Sequence, residues 1–226
     1  MSEFARTAPL SVSTGDYIKA IWHLSGEGAA STKEISTQLS VAPASVTNML
    51  GRLQEMGFVV YERYHGASLT ERGREEALRL VRRHRLIETF LLEHLGYTWR
   101  EVHEEAERLE HAVSDTFTER LAEFLGHPEH DPHGDPIPTR EGILAPDDSL
   151  PLSEVEGGRR VRIFKVSDES DGMLDYLGER DLVPGRTLLI EEYRKVDDVV
   201  VARDSEGKLH HLGGPLARSV FVQKLP

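Results

Sequence analysis

The chain contains no cysteine. That excludes disulfides, thiolate catalysis and thiolate ligation of a metal, and it suits a cytoplasmic protein. No run of 18 apolar residues occurs, and the N-terminus MSEFARTAPL has neither a basic n-region nor an apolar h-region. Neither a membrane span nor a secretory signal is therefore expected. Positive charge is also scarce, with 27 Lys+Arg against 39 Asp+Glu and a net charge of -12. Spread evenly, that balance would disfavour nucleic acid, but it is not even. Residues 1–75 carry 7 basic and 8 acidic side chains, residues 76–150 carry 8 and 17, and residues 151–226 carry 12 and 14. The first third could still turn a basic face to phosphates. The nucleophile elbow, the Walker sequence, the dinucleotide fingerprint and H-E-x-x-H are all absent, so no enzyme activity is expected.

Three kinds of segment are present. In GDYIKAIWHL, Tyr17, Ile18, Ile21, Trp22 and Leu24 recur at helical spacing. STKEISTQL begins with a capping box, Ser31 with Glu34, and ASVTNMLGRLQEMGF turns Val46, Met49, Leu50, Leu53 and Met56 to one side before Gly57. FVVYERYHGASLT then alternates and turns like a two-stranded hairpin. Three helices and a hairpin in this order predict a winged helix-turn-helix. A long helix is predicted from Thr70 to about Leu95. A second, capped by Thr98 and Glu101, carries the apolar stripe Val102, Ala106, Leu109, Val113, Phe117, Leu121 and Phe124. Such a stripe predicts a subunit interface. HPEHDPHGDPIPTREG reads as a connector without fixed geometry. After Leu152, short β runs separated by LVPG, DSEG and LGGP predict a small barrel of about five strands. The expected fold is mainly α, with a winged helix-turn-helix over 1–74, a helical metal-binding and dimerisation domain over 75–151 and an SH3-like, FeoA-like β-barrel over 152–226.

Residues 101–111, EVHEEAERLEH, hold two histidines and five glutamates. On one helix His103, Glu107, Glu110 and His111 would share a face beside the apolar stripe. His84 and Glu88, four apart on the preceding helix, could face them, as in helical proteins that build divalent-metal sites between helices. A solvated acidic face is the alternative. Imidazole and carboxylate without thiolate suit Mn²⁺ or Fe²⁺, although Zn²⁺, Co²⁺ and Ni²⁺ would bind the same groups. In the winged helix, the N-terminal end of the recognition helix offers Ala44, Ser45, Thr47 and Asn48 to base edges and phosphates, with Arg52 and Arg63 as phosphate contacts.

GDYIKAIWHL, VTNMLGRLQEMGFV, LTERGREEA, RRHRLIETFL and EVHEEAERLEHAVSD, with GDPIP, together resemble the DtxR/MntR family of metal-dependent transcriptional repressors over roughly residues 12–144. The C-terminal segment is similar to the SH3-like third domain of the longer members. The resemblance implies a homodimer that binds Mn²⁺ or Fe²⁺ and then grips palindromic operators of metal-uptake genes on double-stranded DNA. It also implies Asp16, Glu107, Glu110 and His111 as one ligand set, and His84, Glu88 and His103 as another that draws on Asp168, Glu169 or Asp171. Iron-responsive members usually carry methionine and cysteine where this chain has Asp16 and Glu107; hard oxygen donors point toward manganese. Lys19 stands where manganese-type members carry a further glutamate, which argues against two closely bridged ions. An iron-responsive regulator, a metal-dependent interaction module without DNA affinity and a hydrolase built on the His/Glu cluster are the competing expectations.

Overall fold

The computed structural model describes residues 10–26, 28–167 and 172–225. Asp168, Glu169 and Asp171 lie outside them. Two compact units emerge. Unit 1 comprises residues up to His84 with Glu107–Thr118 and Pro138–Ile143; unit 2 comprises Arg85–Ala106, Glu119–Ile137 and the chain from Leu144 onward.

Unit 1 is built around the winged helix. Helices α1 (Val12–Ser25), α2 (Thr32–Gln38) and α3 (Pro43–Glu55) precede the hairpin β1 (Val59–Glu62) and β2 (Gly66–Leu69). The capping box forms as the sequence predicts: Ser31 Oγ accepts from Glu34 N, and the Glu34 carboxylate accepts from Ser31 N. Gly57 leaves α3 at φ +78°, the left-handed conformation expected just past a helix end. Ile18, Ile21, Ile35, Val46, Leu50, Leu53 and Phe58 interlock as the core. Helix α4 (Glu71–Leu95) follows, and the unit boundary falls within it, between His84 and Arg85.

The second long helix is not continuous. It divides into α5 (Trp99–Leu109) and α6 (Asp115–Phe124). Ser114 causes the restart: its Oγ accepts from Phe117 N, which an uninterrupted helix would have bonded elsewhere. Glu110 and His111 therefore sit in the turn after α5 rather than on a helical face. The predicted stripe is correspondingly split, with Val102 and Ala106 buried but Phe117 and Phe124 exposed.

Unit 2 contains the C-terminal sheet of β3 (Leu150–Pro151), β4 (Arg160–Val166), β5 (Thr187–Arg194), β6 (Val199–Asp204), β7 (Leu209–Gly213) and β8 (Val220–Lys224), with α7 (Met173–Gly178) and α8 (Gly214–Ser219). Strand order is β3-β8-β4-β5-β6-β7, antiparallel throughout. This corrects the predicted barrel. Among the described residues β7 does not pair with β3, so the sheet stays open. Closure would need a long edge strand, whereas β3 has two residues and one is Pro151, which has no N–H to donate. Instead α8 and the 3-10 turn Leu152–Glu154 pack between the sheet's ends. Val161, Ile163, Leu188, Ile190, Val200 and Val222 form the core beneath them.

Candidate metal centre and nucleic-acid interface

In unit 1, α1 contributes Asp16 and Lys19, α4 contributes His84, and the end of α5 with its following turn contributes Glu107, Glu110 and His111. Two groups of ligand atoms, Asp16/Glu107/His111 and His84/Glu107/Glu110, each lie within 4.8 Å of one another. Glu110 is fully buried. Its Oε2 lies 2.5 Å from His84 Nδ1, and its Oε1 accepts from Lys19 Nζ at 2.7 Å and lies 3.3 Å from His111 Nε2. Lys19 also donates to Glu107 Oε2 at 2.5 Å. Burial alone would favour the neutral amine, but Glu110 and Glu107 outweigh it and raise the Lys19 pKa above its ordinary value. His111 reaches this cluster because Gly15 has no side chain: a Cβ there would stand 2.7 Å from His111 Cε1.

The atoms left over show whether these residues fit a divalent cation. His111 Nε2 is 2.8 Å from Asp16 Oδ1. Neither buried atom has a further hydrogen-bond partner, and the contact with Asp16 holds the His111 pKa above its ordinary value. Buried polar atoms seldom go unpaired, and two converging lone-pair donors form half of a metal site. Glu107, with its side chain 39% exposed, leaves a way in from solvent.

Unit 2 holds a second group. Glu88, Asp131 and His133 are all buried, with ligand atoms within 4.8 Å of one another, and His103 Nδ1 stands 3.2 Å from Glu88 Oε1. The connector around Asp131 is fixed after all. Asp131 Oδ1 accepts from the backbone N–H groups of His133 and Asp135, His130 bridges to Pro136, and Arg85 donates to the Pro136 carbonyl. Gly134, at φ +93°, lies so close to β4 that a Cβ would stand 2.1 Å from the Phe164 carbonyl oxygen. His133 packs edge-on against Trp99 at 5.1 Å, and its Nε2 is buried without a hydrogen-bond partner. Burial, then Glu88 and Asp135, push the Asp131 carboxyl up to about 8 despite Arg85 Nε at 3.4 Å. Residue spacing alone did not single out Asp131 and His133. The D-P-H-G spacing was the available signal, because an aspartate two residues before a histidine can cap that histidine's N–H.

The DNA residues predicted from sequence are all on the surface. Ala44, Ser45, Thr47 and Asn48 line the exposed face at the start of α3, and Arg52 and Arg63 are exposed. A cleft lined by Ser31, Lys33, Thr47, Tyr61, Arg63 and Tyr64 runs between α3 and the hairpin. Lys33 and Tyr64, the latter 90% exposed, extend the predicted surface. The Arg63 guanidinium stands 5.2 Å from the Tyr64 ring centre. Among the described residues no helix is long and apolar enough to cross a membrane.

Known proteins agree with this arrangement. Residues 9–67 match the iron dependent repressor N-terminal DNA binding domain, residues 70–139 the iron dependent repressor metal binding and dimerisation domain, and residues 150–224 the FeoA domain. The iron-dependent repressor IdeR of Mycobacterium bovis is 34% identical over 188 residues, 77% of this chain and 82% of that protein. The diphtheria toxin repressor of Corynebacterium diphtheriae is 30% identical over 224 residues, 92% of this chain and 96% of that one. A solved manganese-dependent transcriptional repressor in complex with manganese superimposes with a TM-score of 0.85 at 34% identity, covering 94% of this chain and all of the other. A winged helix, clustered imidazole and carboxylate donors and these full-length likenesses establish that the chain belongs to the DtxR/MntR family of metal-dependent transcriptional repressors.

Proposed function

We propose that the chain is a manganese-responsive repressor of metal-uptake genes, acting as a cytoplasmic homodimer on palindromic operators. The observation that carries this reading is the convergence of two buried donors, Asp16 Oδ1 and His111 Nε2, 2.8 Å apart and with no further partner, in a cluster of oxygen and imidazole donors with no soft ligand. The solved manganese complex supports manganese, while the IdeR relatives keep iron(II) as the competing ion. When bound, the ion supplies a divalent charge that offsets the carboxylates' mutual repulsion. Asp16 belongs to α1 of the winged helix, whereas Glu107, Glu110 and His111 belong to the segment after it, so holding them together orders the DNA-binding element. Metal and operator would then each tighten the other's binding.

Glu88, Asp131 and His133, with His103 beside Glu88, are proposed as a second ion site. Asp168, Glu169 and Asp171 remain proposed donors to the set of His84, Glu88 and His103. The exposed apolar side chains Leu95 and Phe124 support a subunit contact made by the helical segment over 75–151. Ala44, Ser45, Thr47, Asn48, Arg52 and Arg63 are proposed to meet DNA, joined by Lys33.

The test is affinity for a pool of genomic fragments at fixed salt, titrated with Mn²⁺, with Fe²⁺ under anaerobic conditions, and with no metal. Selective binding at low Mn²⁺ is expected. Equal selectivity without metal, or none with it, would overturn the reading and favour a metal-dependent interaction module.

A further inference from the structure

The arginines of the C-terminal segment fall into two groups. Eight occur after Leu152. Arg180, Arg186, Arg194, Arg203 and Arg218 each pair with a carboxylate. Arg159, Arg160 and Arg162 are exposed, and among the described residues their side chains have no ionic or hydrogen-bonded partner. Strand β4 turns Arg160 and Arg162 to one side, because Val161 and Ile163 between and beyond them lie in the core. The register supplies the rest of that face: Leu189 stands opposite Arg160, Thr187 and Gln223 flank Arg162, and Arg203 lies beyond Leu189. The Glu191 carboxylate of β5 already accepts from Arg203 Nε at 2.6 Å. Three like charges side by side repel, and a chain with 39 Asp+Glu does not lack carboxylates to set against them. An uncompensated basic face on so acidic a chain fits an anionic partner.

We propose that Arg160 and Arg162, with Arg159 beside them, hold phosphates of the DNA that flanks the operator and add affinity that does not depend on sequence. This rests on the reading above in that the chain binds an operator; it does not depend on which ion is used. The arrangement favours a phosphate backbone. Arg160 and Arg162, two positions apart on a strand, stand about 7 Å apart in a line rather than around a pocket, which suits a row of anions better than one small anion. Guanidinium forks bind phosphate oxygens in pairs, and Thr187 and Gln223 beside them offer hydrogen-bond donors of the kind that phosphate contacts also use. The winged helix leaves room for such help. Residues 1–75 carry 7 basic against 8 acidic side chains, so the electrostatic contribution of that segment to DNA binding is small. An acidic protein would match the same charges, but DNA is the partner that this chain's first domain already brings.

The test is the salt dependence of DNA binding by the full-length, Mn²⁺-loaded chain. Anisotropy reads it on an operator duplex selected from genomic fragments and on a scrambled duplex of equal length. Wild type is compared with the double variants Arg160→Gln/Arg162→Gln and Arg160→Lys/Arg162→Lys, and with Arg194→Gln, which removes a paired arginine from the same sheet. Each phosphate contact contributes about 0.9 to the slope of log affinity against log salt. The glutamine pair should therefore lower the slope by about 1.8 on both duplexes, so that wild type loses about tenfold more affinity than this variant between about 50 and 200 mM salt. Its preference for operator over scrambled duplex should stay as in wild type. The lysine pair and Arg194→Gln should keep the wild-type slope. An unchanged slope in the glutamine pair, with wild-type circular dichroism, would overturn the proposal and leave the face to an acidic protein. Phenylglyoxal labelling of wild-type Arg160 and Arg162 that either duplex fails to reduce would overturn it too, without any variant having to fold. If wild type shows no operator preference with Mn²⁺, the proposed function fails instead, and the slope on the scrambled duplex still decides what this face does.

Discussion

The two ligand clusters are built by opposite means. In unit 1, donors project from α1, α4 and the end of α5, and a lysine neutralises part of their charge before any ion is bound. In unit 2, a helical glutamate meets a loop whose shape depends on Asp131 capping its own backbone and on Gly134 lying against β4. The first cluster is half open, through Glu107; the second is buried at Glu88, Asp131 and His133 alike. A charged set near solvent can exchange ions and pass the result to the winged helix. A closed set behind a rigid loop suits slow, tight retention.

The largest expected effect separates the two. Glu107→Ala removes a donor common to both ligand groups of unit 1 while leaving Glu110 with Lys19 and His84. Manganese stimulation of operator binding should fall by about 100-fold, toward the upper end of usual allosteric coupling. Anisotropy with and without Mn²⁺ would measure it, and the dimer should persist in sedimentation. Stimulation that survives would mean that the closed cluster, not the open one, controls DNA binding.

Next in size is Gly134→Ala. The added Cβ meets the Phe164 carbonyl oxygen at 2.1 Å, and the backbone there is in a region that favours glycine. A loss of about 1–3 kcal/mol is expected from backbone strain alone, read from urea unfolding of the metal-free chain. The same variant should lose the ion held by Glu88, Asp131 and His133 and keep the one near Asp16. Loss of both would mean that the clusters are not independent.

How much of this was legible follows from how far each signal reaches along the chain. Ser31 with Glu34, Gly57 and the hairpin are fixed by neighbours within a few positions, and the winged helix was readable from them. Spacing put His103, Glu107, Glu110 and His111 on one helical face with His84 and Glu88 opposite, but the helix meant to align them ends at Leu109 and His103 stands against Glu88 instead. Ser114 was the overlooked local sign. Gly15 could not be recognised, because its need for a missing side chain arises from His111, far along the chain. The same holds for Asp131 and His133: prolines suggested a loose connector, but Arg85 and β4, both distant in sequence, hold it. The barrel failed for a related reason. Alternation identifies strands, but closure depends on whether the first and last can meet, and α8 with a two-residue β3 decides that.

The smallest effect is a proton. In the metal-free fold the Asp131 carboxyl is raised from 3.8 to about 8, chiefly by burial and then by Glu88. The folded chain therefore keeps a proton that the unfolded chain releases above its lower pKa. Its contribution to stability is full below pH 4 and is lost as pH rises toward 8 and past it. A carboxylate must be ionised to hold a metal, so loading this cluster at pH 7 should release about one proton. Glu107→Ala isolates the cluster, and calorimetry in two buffers of different ionisation enthalpy counts the proton. Release should fade above pH 8, as the carboxyl ionises without help. No release at pH 7 would show that Arg85 and the turn's N–H groups already keep Asp131 charged, and the closed cluster would then be as prepared for a cation as the open one.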